Sequence, residues 1–141
     1  MVNLQILKNT TRYCLGKKDR LKSRKDINAL FANGKKINHF PIRAIWMHTS
    51  SNNALQAGFS VSSKYFKRAV DRNRIKRLMR EGYRLQKQKL ELSLHKHNKK
   101  IALFLIYTGK ELPNFSTVEN SSHLVLLSII NQIDTNAEAV V

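Results

Sequence analysis

Apolar and polar positions alternate in two neighbouring segments of the chain, which predicts two strands. Between residues 40 and 48, apolar positions alternate with positions that are only partly polar. Between residues 55 and 61, apolar positions alternate with polar or small residues. A period of two is typical of strands. The polar cluster at 49–53 predicts a loop between them. We expect the two strands to pair as an antiparallel hairpin whose second strand has one accessible face.

Two shorter segments have the spacing and end signals of helices. A first helix is predicted within residues 21–34, where Ser23 or Asp26 can cap the amino end and Gly34 follows the carboxyl end. A last helix is predicted to open at a capping box, residues 116–119. Its apolar positions are Val118, Leu124, Leu127, Ile130 and Ile133.

The longest helix is predicted from about Lys67 to Leu92. Gly82 lowers the stability of this helix by about 1 kcal/mol relative to alanine. Close packing favours a small residue, so we expect another element to pack closely against the helix at Gly82. One side carries the apolar stripe Ile75, Leu78, Met79, Gly82 and Leu85, and the opposite side carries Asn73, Lys76, Arg77, Arg80, Arg84 and Lys87. The spacing therefore predicts one side in the core and a cationic side that either faces a polyanion or is simply solvated.

The run IALFLIY at 101–107 is apolar throughout and has the length of a central strand. The order helix, strand, strand, helix, strand, helix predicts an α+β fold with helices packed on a small mixed sheet. We expect a single domain over residues 17–134, a mobile basic segment at 1–16 and a frayed tail at 135–141.

Charge changes this picture from a generic domain to one that binds a polyanion, either a nucleic acid or an anionic membrane. The chain of 141 residues has a net charge of +17, and eleven basic residues against two acids lie between Lys64 and Lys89. Such a balance indicates a polyanionic partner. No apolar run reaches the roughly 18–20 residues of a membrane span, and no secretory signal is visible. Cys14 is the only cysteine, so we expect a reduced, cytoplasmic protein without a membrane partner.

Candidate catalytic groups are sparse. The five histidines are scattered, and His95 and His97 beside lysines are typical of a solvated linker. The nine acids are spread too thinly to predict a metal-binding carboxylate cluster. We therefore expect no catalytic residue in the protein, and the residues do not settle whether it binds a metal.

One motif in the basic helix is specific enough to indicate a family. AVDRNRIKRLMRE, at 69–81, contains Arg-Asn-Arg, then Ile-Lys-Arg and a further arginine, and it resembles the signature of the bacterial ribonuclease P protein. GFSVSSK at 58–64 is similar to the strand and turn before that helix, and LKSRKDINALFANG at 21–34 is similar to the family's first helix. The resemblance covers roughly residues 17–130.

The resemblance implies a role as the accessory subunit of an endoribonuclease. In ribonuclease P, the RNA subunit removes the 5′ leader of precursor tRNA with Mg²⁺ at the RNA active site, and the protein binds both RNAs. The implied partners are ribonuclease P RNA and precursor tRNA, with no DNA. The family also implies a left-handed crossover between residues 59 and 107, where a right-handed one is usual.

The resemblance also assigns residues to two RNA surfaces. Those expected to bind the catalytic RNA are Arg72, Asn73, Arg74, Lys76, Arg77, Arg80 and Arg84. Those expected to bind the leader in a cleft are Lys22, Phe31, Phe59, Ser62, Lys64, Lys67 and Arg68. Phe31 would stack on a base, whereas Ile27 stands at the cleft's other aromatic position. Core packing is the alternative for Phe31 and Phe59, and it is the favoured interpretation of Trp46.

Two other classes of protein share some of these features. A basic ribosomal or other structural RNA-binding protein would have the same charge and size, without need of the Arg-Asn-Arg helix beside a half-polar strand. A DNA-binding module would show a recognition helix in a two-helix arrangement or dimer symmetry, and neither is visible.

Overall fold

The computed structural model describes residues 19–50 and 53–139, and within this part three helices and four strands form an α+β domain. In chain order they are α1 (Arg24–Asn33), β1 (Lys35–His39), β2 (Ile42–His48), β3 (Leu55–Val61), α2 (Ala69–Lys96), β4 (Ile101–Tyr107) and α3 (Phe115–Ala139). The predicted fold class is confirmed. The strand β1 was not predicted, because only Ile37 among its five residues is buried and no alternation marks it. The basic segment 1–16 lies outside the described residues.

The four strands form one mixed sheet in the order β1-β2-β4-β3. The strand β2 is antiparallel to β1 and β4, and β3 is parallel to β4. The predicted hairpin of β2 with β3 is therefore wrong, because β4 lies between them. An almost wholly buried strand such as β4 is most stable where neighbours cover both of its edges and both of its faces. Its predicted central position is confirmed, and the handedness of the β3–α2–β4 crossover stays a prediction.

Helices cover the two faces of the sheet unequally. The face that carries Trp46 and Leu103 packs on α2 and α3 in the larger apolar core. On the other face, α1 packs on β2 and β4, where Leu30 contacts Ile45 and Ala102 in a smaller cluster. The polar side chains Gln56 and Ser60 of β3 remain half-exposed on this second face. The sheet thus has one closed face and one partly open face.

The ends of α1 follow the sequence signals, whereas the start of α3 does not. In α1, Ser23 Oγ accepts a hydrogen bond from the Asp26 amide at 3.3 Å, and the Gly34 amide donates to the Leu30 carbonyl at 2.7 Å. In α3, Asn114 Oδ1 accepts from the Thr117 amide at 2.9 Å, so Asn114 is the cap and the predicted capping box is wrong.

The buried stripes of α2 and α3 differ from the predicted ones at three leucines. In α3, Val118, Val125, Leu126, Ile129 and Ile133 are buried, but Leu124 and Leu127 are exposed. In α2, Ile75, Met79, Tyr83, Leu90 and Leu94 are buried, whereas Leu85 is exposed. Helical spacing alone left several stripes possible, and the position of the neighbouring element selects one. The close approach predicted at Gly82 is confirmed, since an added Cβ would lie 3.3 Å from Ser122 Oγ of α3.

Candidate RNA-binding site

The outward side of α2 presents an open cationic surface. Asn73, Arg74, Arg77 and Arg80 are all exposed there. The first three line a depression of about 520 Å³ together with Val70 and Leu78. Arginine forks on an exposed helix face can bind phosphate oxygens in pairs. We call these four residues the open arginine face.

Arg72 belongs to the same motif but lies differently. It is half-buried, and its Nη1 donates to the carbonyl oxygens of Phe66 at 2.8 Å and Lys67 at 2.7 Å. The guanidinium thereby ties the segment before α2 to the first turn of the helix. The structure therefore separates Arg72 from the open arginine face, although both come from one continuous motif.

Lys76, Arg84 and Lys87 are also more enclosed than their polar spacing predicts. Lys76 is half-buried. Arg84 Nε donates to Glu81 Oε2 at 3.2 Å, and this hydrogen bond lowers the pKa of the Glu81 carboxyl. Lys87 is only 6% exposed, with Nζ 3.4 Å from Asp19 Oδ2 and 3.5 Å from Glu91 Oε1. Assigning Lys87 to the exposed polar side was wrong.

The open face of the sheet carries an exposed aromatic pair. Phe31 of α1 is 45% exposed, and its ring meets Phe104 of β4 edge-on at a centroid distance of 5.1 Å. A Cβ on Gly58 would lie 2.7 Å from the Phe104 ring, so the glycine leaves room for this ring to approach β3 closely. Phe31 is thus available to a base, as a cleft residue requires. Phe104 was missed, although its alternation with Ala102 and Ile106 places it on this face.

Phe59 and Lys22 lie together at a pocket that Phe31 does not line. The Phe59 side chain lies on the other face of the sheet, 5.6 Å from the Tyr83 ring, and it packs against the larger core. Together with Lys22, Arg20 and Arg80, it lines a pocket of about 230 Å³ at the edge of β3. The structure therefore brings two predicted leader residues next to a predicted catalytic-RNA residue. Arg20, which bridges to Ala57 along that edge, was not singled out by the sequence.

The remaining predicted leader residues lie in the turn between β3 and α2. Ser62 Oγ accepts from the Lys64 amide at 3.1 Å, which stabilises the turn. Lys64, Lys67 and Arg68 are exposed, and Arg68 Nε lies 3.4 Å from Asp71 Oδ2. This basic turn connects the open sheet face with the open arginine face.

Trp46 is fully buried, which confirms its interpretation as core. His97 is not a solvated linker residue: its Nε2 lies 2.7 Å from Asp134 Oδ1, which also accepts from Ser93 Oγ at 3.1 Å. This network joins α2 to α3.

Over residues 19–50 and 53–139, no three His, Cys, Asp or Glu side chains are grouped to hold a metal. Nor does any helix in the described part have the length and apolarity to cross a bilayer.

A small α+β domain with a partly open sheet face and a helix that exposes a row of arginines has the features of a nucleic-acid-binding protein. The model of the Ribonuclease P family matches residues 15–127. The ribonuclease P protein component of Porphyromonas gingivalis is 36% identical over 125 residues, covering 87% of this chain and 91% of that protein. The chain belongs to the ribonuclease P protein family.

Solved structures agree on the fold. The ribonuclease P protein of Staphylococcus aureus superposes with a TM-score of 0.59 at 22% identity, covering 79% of this chain and 94% of that one. The protein from Thermotoga maritima gives a TM-score of 0.58 at 23% identity, covering 80% and 96%. At these identities the two structures establish the shared fold alone.

Proposed function

We propose that this protein is the accessory subunit of ribonuclease P, which binds the catalytic RNA and the 5′ leader of precursor tRNA. The observation that carries the proposal is the open arginine face, Asn73, Arg74, Arg77 and Arg80, on a chain of this family. In this assignment the hydrolysis takes place in the cytoplasm at the RNA subunit, with Mg²⁺ held by RNA. The protein supplies cations and positioning, and no reacting group.

The open arginine face would contact the phosphates of the catalytic RNA. Every phosphate neutralised by an arginine releases condensed counterions, which favours binding at low salt. The same cations reduce the repulsion between RNA strands that must approach each other, and this repulsion otherwise has to be screened by Mg²⁺. Arg72, Lys76 and Arg84 lie beside this surface, and in our proposal their contribution to RNA contact is smaller because protein groups already engage or enclose them.

The open face of the sheet would hold the leader. Phe31, supported by Phe104, offers an exposed ring on which an unpaired base can stack. The polar Gln56 and Ser60 line the neighbouring strand, and the basic turn with Lys64, Lys67 and Arg68 follows it. Lys22 and Phe59 would contact RNA at the edge of β3, in the pocket that they share with Arg80.

Reconstitution with a bacterial ribonuclease P RNA tests the proposal. We expect the full chain to stimulate leader removal from precursor tRNA at low Mg²⁺, and rigorously RNA-free protein to cleave nothing. The double variant Arg74→Ala, Arg77→Ala should lose most of the stimulation. Its matched control is Lys99→Ala, Lys100→Ala, which removes two exposed cations from the connector after α2.

Three results would contradict the assignment. Cleavage by the RNA-free protein would place a catalytic group in this chain. Absence of stimulation would favour a structural RNA-binding role outside tRNA processing. Equal losses in the two double variants would mean that total charge, and not the open arginine face, is responsible.

A further inference from the structure

The turn between β3 and α2 carries an exposed aromatic residue with no role so far. Tyr65 is 43% exposed, so part of its ring is accessible to a ligand. The neighbouring Phe66 is 6% exposed, and its ring lies 5.9 Å from that of Tyr107. Because Phe66 anchors the turn in the core, Tyr65 is held outward at a defined place.

Two further contacts hold the backbone of this turn. The Lys64 amide donates to Ser62 Oγ, and the Arg72 guanidinium binds the carbonyl oxygens of Phe66 and Lys67. An aromatic side chain on a fixed backbone loses little conformational entropy when it binds a ligand. The ring is therefore a preorganised platform, and not a residue on a loose loop.

Two lysines from different segments lie over the Tyr65 ring. Lys64 Nζ is 5.6 Å and Lys110 Nζ is 5.4 Å from the ring centroid. Lys110 follows β4. Because β3 and β4 are parallel, their carboxyl ends lie at the same end of the sheet. Lys67 and Arg68, three and four residues after Lys64, are also exposed. An aromatic ring among cations is a combination that binds unpaired nucleotides. A base that stacks on Tyr65 would take the place of a lysine ammonium group over the ring, and the flexible lysine can then pair with the phosphate of that nucleotide.

The strand β3 leads from the Phe31–Phe104 pair to the turn that carries Tyr65. Gly58, which Phe104 covers, is three residues from the carboxyl end of β3, or about 10 Å along the strand. Ser60 lies between Gly58 and the carboxyl end of β3, on the same face of the sheet as Gly58. A leader that leaves Phe31 along β3 therefore reaches the turn within a few nucleotides.

We propose that Tyr65, with Lys64 and Lys110, is a second stacking site for a nucleotide of the precursor tRNA leader, beyond the one at Phe31. This inference rests on the proposed function and extends its leader-binding surface. The leader would then contact two aromatic side chains, Phe31 on the open face of the sheet and Tyr65 beyond the carboxyl ends of β3 and β4.

The test compares precursor and mature tRNA bound to the holoenzyme reconstituted with bacterial ribonuclease P RNA. The quantity measured is the ratio of the two dissociation constants. Tyr65→Leu removes the aromatic face while keeping apolar bulk, and we expect it to reduce the preference for precursor by about 5- to 150-fold. Tyr65→Phe keeps the ring and should retain most of the preference. Tyr65→Gln provides a second non-aromatic variant if the leucine variant folds poorly.

Shortening the leader locates the contact. With wild-type protein the preference should drop at the length where the leader no longer reaches Tyr65, and with Tyr65→Leu no drop should occur at that length. Phe31→Ala serves as the reference for the first platform.

The inference fails if Tyr65→Leu keeps the wild-type preference, or if it weakens precursor and mature tRNA equally. In those cases leader removal by the wild-type holoenzyme still stands, so only the Tyr65 site is lost. A wild-type holoenzyme that neither processes precursor tRNA nor prefers it would overturn both this inference and the proposed function.

Discussion

The helix α2 carries two kinds of cation, and the comparison between them shows how little a charge count says about binding. Arg74 and Arg77 are exposed on the open arginine face. Arg72 binds two backbone carbonyls, and Lys87 is buried between two carboxylates. All four come from one basic stretch, yet the second pair is held by the protein itself. A cation already held in this way contributes to folding, and it has less to gain from a phosphate.

The largest expected effect lies on the apolar side of α2 and sets the scale for the comparison. Ile75 is fully buried, so Ile75→Ala should lower the free energy of unfolding by about 2–5 kcal/mol. RNA affinity per folded molecule should stay constant. Denaturant unfolding measures the loss, with the exposed Val70→Ala on the same helix as control. Wild-type stability in Ile75→Ala would show that α2 is rotated from the position described.

Lys87→Ala should destabilise the protein by about 1–3 kcal/mol, because Asp19 and Glu91 would lose a buried cationic partner. The dependence of RNA binding on salt should not change. Lys89→Ala, which removes an exposed cation two residues away, is the matched control for stability. If Lys87→Ala kept full stability but flattened the salt dependence, the division between the two kinds of cation would be wrong.

Arg72→Ala should cost about 1–2 kcal/mol, since two charge-assisted hydrogen bonds to carbonyls are lost at a partly exposed site. Amide hydrogen exchange should quicken in residues 66–72, because the guanidinium fixes that segment. Thermal unfolding and exchange measured together check both effects. A variant with unchanged exchange and a much weaker RNA complex would move Arg72 onto the RNA-binding surface.

The smallest effect on stability is expected at the open arginine face. Arg74→Ala and Arg77→Ala should change the free energy of unfolding by no more than about 0.5 kcal/mol. Each lost phosphate contact should reduce the magnitude of the logarithmic salt slope of RNA binding by about 0.7–0.9. Titrations at several salt concentrations measure the slope. An unchanged slope with a lowered melting temperature would make these arginines structural.

Sequence patterns predicted the helix that carries the site, but not which of its cations are free to bind RNA. The Arg-Asn-Arg motif indicated both the family and the helix that carries the exposed arginines. It could not separate Arg72 from Arg74, because the carbonyls that engage Arg72 belong to a turn whose path depends on Phe66 packing against Tyr107. Phe59 was placed with Phe31 for a similar reason. Alternation along β3 assigns it to a face, but only the packed sheet shows that Phe31 lies on the opposite one.

The sequence by itself determined the local features of this protein: the caps of α1, the long basic helix, the apolar strand β4 and the family to which the chain belongs. These depend on residues within a few positions of each other, where hydrogen bonding and side-chain spacing act directly. Only the tertiary structure decided that β4 lies between β2 and β3, that Lys87 is buried and that Tyr65 meets Lys110. Those outcomes join segments far apart in the chain. Their energies come from surfaces and charges that only the folded chain brings together, and these have no counterpart in local spacing.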